Sequence, residues 1–115
     1  MVNHMSFNPI MSKLQVLGAT AAGSVTLPAN AVIRDILVNN TNANAVTGGL
    51  KFGSSAGATD IAAALAVGAN ALSFVTDALL LKRWFSTSAT QSVFYDAVVA
   101  WNSANVNITI IYNQL

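Results

Sequence analysis

Short apolar runs alternate with clusters of turn-forming residues along most of this chain, starting at residue 13. Close spacing of such runs is typical of an antiparallel sandwich or barrel. Many of the runs are rich in β-branched residues, which favour strands. The pattern predicts eight strands, over residues 13–17, 24–27, 31–39, 46–52, 71–75, 79–85, 92–101 and 106–112.

The last run shows the clearest periodicity. Val106, Ile108 and Ile110 alternate with residues 107, 109 and 111, which predicts a strand with one buried face. Residues 92–101 do not alternate in this way, so that strand is expected to contain a bulge or to be buried on both faces. About eight short strands in 100 residues predict an all-β fold, an antiparallel, jelly-roll-like β-sandwich.

One segment favours a different conformation. Residues 62–65 are good helix formers, Asp60 is an acceptable N-cap and Gly68 follows as a stop. We therefore expect one or two helical turns near residues 60–66. Residues 1–12 have no steady period and contain Pro9, so they predict an N-terminal arm, followed by a single β-sandwich domain over 13–115.

Charged residues are scarce, at 8% of the chain against about 25% in ordinary soluble domains. Either the surface is neutral and polar, or much of it is buried against other copies or partners. The apolar content of 54% favours the second explanation. With a net charge of +1 and Lys82-Arg83 as the one adjacent basic pair, nucleic acid is not an expected partner. The apolar stretch 61–75 is too short and too interrupted to span a membrane, and no membrane partner is expected.

Groups that support catalysis are nearly absent. The chain has no cysteine and one histidine, His4, which lies in the predicted arm. A serine nucleophile needs a positioned base, and an arm does not hold one. The four aspartates are isolated at positions 35, 60, 77 and 96, and the Gly-rich segment 53–57 lacks the Lys-Ser/Thr of a phosphate loop. We predict a non-enzymatic protein with no catalytic, metal or cofactor site.

Several segments of the chain resemble small virion proteins of tailed bacteriophages. The similarity extends over roughly residues 20–112. It is carried by residues 25–36 (VTLPANAVIRDI), 44–53 (NAVTGGLKFG), 67–72 (VGANAL), 81–87 (LKRWFST) and 100–104 (AWNSA).

This resemblance implies a capsid decoration or cement protein, which stabilises the capsid by clamping neighbouring major-capsid subunits. It implies the major capsid protein and further copies of the chain, as a homotrimer, as partners. The expected location is the capsid surface of the virion, after synthesis in the host cytoplasm. As candidate oligomer or capsid interface residues we select two in the arm and three later aromatics: Phe7, Ile10, Trp84, Phe85 and Trp101.

An alternative function is a receptor- or glycan-binding module of a head or tail fibre. Trp101-Asn102-Ser103 at a strand end combines an aromatic ring with polar donors, as sugar-binding platforms do. Aromatic residues are more often part of a core or an interface. The chain also shows no repetitive shaft before this segment, so a host glycan is the weaker expectation.

Overall fold

The computed structural model describes residues 11–75, 79–83 and 89–114, which form eight strands and, within those ranges, no helix. Accordingly, no helix of these ranges could span a membrane. The strands are β1 (Met11–Ala19), β2 (Gly23–Leu27), β3 (Ala31–Asn40), β4 (Leu50–Gly53), β5 (Ala62–Leu65), β6 (Leu72–Phe74), β7 (Gln91–Ala97) and β8 (Val106–Gln114).

The strands form two four-stranded sheets, sheet A in the order β1-β8-β3-β6 and sheet B in the order β2-β7-β4-β5. Strand β1 pairs with β8, β2 with β7, β3 with β6 and β4 with β5, all antiparallel. The chain is thus one long hairpin folded over itself, with successive strand pairs placed alternately in the two sheets. This is the jelly-roll form of the β-sandwich, and the predicted all-β fold is confirmed.

The core lies between the two sheets, where alternate residues of each strand meet. In β8, Val106, Ile108 and Ile110 are almost fully buried, as their alternation predicts. Phe52 of β4 and Ile36 of β3 are also fully buried. Burial of each such side chain contributes roughly 1.5–3 kcal/mol, so the core stabilises the sandwich without disulfides.

The prediction of a helix near residues 60–66 is wrong, because residues 62–65 form strand β5. Strand β5 pairs with β4, with Leu65 opposite Leu50 and Ala62 opposite Phe52. Ala62 and Leu65 are buried, whereas the two residues between them are exposed. Backbone pairing with β4 and burial at both ends of the segment outweigh the small helical preference of alanine.

The prediction of a strand over residues 79–85 is also wrong for residues 79–83, the part that the structure describes. Residues 79–83 are irregular, because their backbone bonds go to two different sheets. Leu81 N donates to Ile61 O beside sheet B at 2.7 Å, and Arg83 O accepts from Ile33 N in sheet A at 2.9 Å. The segment therefore bridges one edge of the sandwich. Residues 84 and 85 lie outside the described residues.

The strand expected over 46–52 begins only at Leu50. Gly48 and Gly49 have φ of 79° and 83°, and Gly49 N donates to Val46 O at 3.1 Å, closing a turn. A Cβ on Gly49 would lie 2.4 Å from Leu65 O. Glycine is required here because the turn needs positive φ and the backbone of β5 passes close by.

Asn40 organises the loop that follows β3. Its side chain is 1% exposed, and its Nδ2 donates to Asn44 O at 2.8 Å and to Gly68 O at 3.0 Å. Its Oδ1 accepts from Asn42 N at 3.0 Å. One buried amide thus satisfies three backbone groups from two loops.

We expect Asn40→Ala to lower the free energy of unfolding by about 2–3 kcal/mol, because it leaves buried backbone groups unpaired. Asn39→Ala is the matched control, since Asn39 is the exposed neighbour on the same strand and should change stability by less than about 0.5 kcal/mol. Denaturant unfolding of the two variants measures the difference. Equal stabilities would show that the buried amide does not hold the loop.

A second polar contact holds the loop between β4 and β5. Asp60 accepts from Ser54 N at 2.8 Å and from Ser54 Oγ at 2.6 Å, and Lys82 Nζ lies 3.6 Å from its Oδ2. The bonds from Ser54 hold the pKa of the Asp60 carboxyl below its ordinary value, with Lys82 contributing least. The carboxylate therefore stabilises the folded chain where it is ionised.

This lowered pKa predicts the sign of a pH effect. The stabilisation is fully present above the unfolded pKa of about 3.9 and is lost as pH falls through the folded value. Ser54→Ala should therefore lower stability slightly at pH 6, and the difference from wild type should shrink below about pH 4. Ser55→Ala, at the exposed next residue, is the control in the same unfolding series. A pH-independent Ser54→Ala effect would contradict this account.

Candidate functional site

Each of the described carboxylates has its own local hydrogen-bond partner. Asp35 accepts from the N–H of residue 36, Asp60 binds Ser54, and Asp96 Oδ1 accepts from Trp101 Nε1 at 2.9 Å. Within the described residues, no three His, Cys, Asp or Glu side chains come together as metal ligands would. His4 and Asp77 lie outside those residues.

Trp101 is the one predicted interface residue that the structure describes. Its ring is partly buried against the core and meets Tyr95 edge-on, with centroids 6.4 Å apart and planes at 76°. With its Nε1 also bound to Asp96, the ring supports the end of β7 and is not an open platform. Residues 7, 10, 84 and 85, the other selected positions, lie outside the described residues.

The outward side of sheet A, here called outer face A, mixes apolar and neutral side chains. Strand register places its residues in rows across the sheet, because directly opposed residues point to the same side. Ile111 of β8 stands between Lys13 of β1 and Asp35 of β3. The neighbouring rows are Met11–Asn113–Val32, Gln15–Thr109–Leu37–Phe74 and Asn107–Asn39–Leu72.

Outer face A is unusually apolar for an exposed sheet at its β6 side. Leu72 and Phe74 are 57% and 52% exposed. These two residues are called the β6 margin. Exposed apolar clusters of this kind mark interaction surfaces more often than scattered single residues do.

The outward side of sheet B is different in chemistry. It carries hydroxyls, and Thr26 Oγ1 and Ser92 Oγ lie 3.2 Å apart across β2 and β7. A shallow recess of about 250 Å³ between β2, β7 and the β4–β5 loop is lined by Ser24, Phe94 and Asp96, among others. The two faces of the sandwich therefore present different surfaces, and the larger exposed apolar side chains lie on sheet A.

Sequence reasoning missed outer face A and the β6 margin. One signal was present: Ile111 is apolar at a position of β8 where alternation requires an outward side chain. The β6 margin had no such signal, since a three-residue strand is too short for a period to appear.

No protein-family model matches this chain, and no curated protein matches it in sequence. Solved structures do match in fold. A chain in the capsid of Ralstonia phage GP4 is 14% identical with a TM-score of 0.58, over 94% of this chain and 85% of that one. A chain in the capsid asymmetric unit of cyanophage Pam1 is 19% identical with a TM-score of 0.51, over 94% and 86%. At these identities the likeness establishes a shared fold.

Proposed function

We propose that this chain is a non-enzymatic bacteriophage structural protein that decorates the capsid and stabilises it by clamping neighbouring major-capsid subunits. The observation that carries the proposal is the fold: a jelly roll similar over 94% of the chain to chains in two phage capsids. In this role the protein is made in the host cytoplasm and resides on the capsid surface of the virion.

The surface chemistry supports such a role. A clamp holds its partners by burying apolar area, at roughly 25 cal/mol per Å², and the β6 margin offers exposed leucine and phenylalanine side chains for that purpose. Repetition over a symmetric shell multiplies weak contacts. The scarcity of charge suits a surface that is covered on the assembled particle.

Self-association belongs to the proposal as well. The resemblance noted in the sequence implies a homotrimer, and the light-scattering mass of the free chain is the check on that number. Among the selected contact residues, Phe7, Ile10, Trp84 and Phe85 remain proposals for the arm and for the segment before β7. Trp101 has a structural role beside Asp96 and Tyr95, so we expect it to contribute less than they do.

The role is tested by counting copies of this chain per purified virion, using quantitative mass spectrometry against the major capsid protein. We expect hundreds of copies in fixed ratio to the shell. Shells stripped of the protein should release DNA at a lower temperature, and added protein should restore the release temperature. Absence from the virion, or equal release temperatures with and without it, would contradict the proposal.

The β6 margin gives a sharper prediction. The double variant Leu72→Ser, Phe74→Ser should bind stripped shells at least about tenfold more weakly, because truncating buried interface anchors costs more than about 1 kcal/mol each. Val99→Ser is the matched control, since Val99 is 70% exposed but lies outside the margin. Pelleting with shells measures binding, and unfolding midpoints check that each variant folds. Equal binding by both variants would exclude the margin as the contact.

The alternative is a receptor- or glycan-binding fibre module. The observation that favours it is the recess beside Phe94, which combines an aromatic ring with Ser24 and Asp96. The partly buried, hydrogen-bonded position of Trp101 argues against the sugar platform expected at residues 101–103. A copy number of a few per virion, together with glycan binding that Phe94→Ala abolishes, would favour this alternative.

A further inference from the structure

Outer face A carries two opposite charges in a single row. Lys13 on β1 and Asp35 on β3 are both register partners of Ile111 on β8. They flank Ile111 at two strand spacings from each other, roughly 10 Å between Cα atoms, and within the described residues they form no ion pair with each other. Lys13 is exposed and Asp35 is half-buried, so both charges are available on this face.

This arrangement is self-complementary. A half-turn about an axis that lies in the face along β8 places β1 of one copy over β3 of the other, while β8 stays over β8. Lys13 then faces Asp35 of the second copy, Asp35 faces Lys13 of the second copy, and Ile111 meets Ile111. An isologous contact requires this reciprocity of residues.

We propose that outer face A packs against the same face of a second copy of this chain, about a two-fold axis parallel to β8. The partner is favoured by charge complementarity: one operation pairs both charges of the row and also buries an apolar residue at the centre. Two sheets packed face to face with nearly aligned strands are a common arrangement.

The neighbouring rows fit the same operation. It brings Met11, which is 59% exposed, over Val32 of the second copy. Gln15 comes over Leu37 of the second copy, and Thr109 over Thr109. Arg34, the other charge near this face, occupies the extra position where the β3–β8 register shifts, and its Nε donates to Asn113 Oδ1. It is thereby held beside Asn113, in the row next to the central one. The β6 margin lies beyond β3, outside the footprint.

Charge reversal tests this contact with the chain alone, independently of the proposed role in the virion. Lys13→Asp opposes two carboxylates at both reciprocal contacts, and Asp35→Lys opposes two cations. Each single variant should self-associate at least about tenfold more weakly than wild type, since juxtaposed like charges are strongly unfavourable. The double variant Lys13→Asp, Asp35→Lys should regain association, because it restores opposite charges at both contacts.

Mixing the two single variants is the most specific test of the contact. Each is repelled by its own kind, but in a mixed pair both contacts join opposite charges, so the mixture should form heterodimers. Sedimentation velocity over a concentration series measures all five samples: wild type, the two single variants, the double variant and the mixture. Lys51→Gln is the control on sheet B, because it removes a charge without opposing a second carboxylate to Asp96. A monomeric wild type, or single variants that associate like wild type, would overturn the proposal.

A covalent readout tests where the two copies meet. Because the chain has no cysteine, Ile111→Cys introduces a single thiol, which the proposed axis places opposite itself. A bismaleimide that spans the about 10 Å between packed sheets should crosslink it to a species of two copies, whereas Thr26→Cys on sheet B should remain uncrosslinked. The axis places each thiol opposite its equivalent in the second copy, so absence of the two-copy product, or equal crosslinking of Thr26→Cys, would count against the contact.

Discussion

The ladder between β8 and its two neighbours is the interaction on which the rest of this structure depends. Strand β8 pairs with β1 on one side and with β3 on the other. Along the chain, the register partners Met11 and Asn113 lie 102 positions apart, and Ala31 and Gln114 lie 83 positions apart. Contacts so distant in sequence form only after large loops close. The sandwich is therefore stable only as a whole, because no sheet can be completed from neighbouring segments.

The same nesting explains why the two outer faces differ. Sheet A contains the long strands β1, β3 and β8, whereas β4 and β5 of sheet B have four residues each. Longer strands expose longer outward rows, and on sheet A these rows include isoleucine, leucine and phenylalanine. The shorter sheet B shows hydroxyls and alanines, and the β4–β5 loop folds over it so closely that a Cβ on Gly53 would lie 2.3 Å from Ala58 O.

Much of the fold could be predicted because alternation and turn residues act locally. The strands around Val32 and Ile108 carry enough β-branched residues for their period to be read directly. Strand β5 could not be predicted, because alanine prefers helix and only pairing with Leu50 and Phe52 makes the segment extended. The prediction of a strand at residues 79–83 failed for a related reason, since the backbone partners of these residues lie in different sheets. The row formed by Lys13, Ile111 and Asp35 depends on register, which no single strand encodes.

The pairing of Met11 with Asn113 has a consequence for engineering. The two ends of the described sandwich lie side by side, about 5 Å apart as antiparallel partners, at the same end of the β1–β8 pair. A short linker can join them, and new ends can be opened at the exposed turn around Gly57, where an added Cβ would meet no atom within 4 Å. A peptide carried by either new end would then emerge beside sheet B, so the choice of opening determines on which side of the sandwich a cargo is displayed.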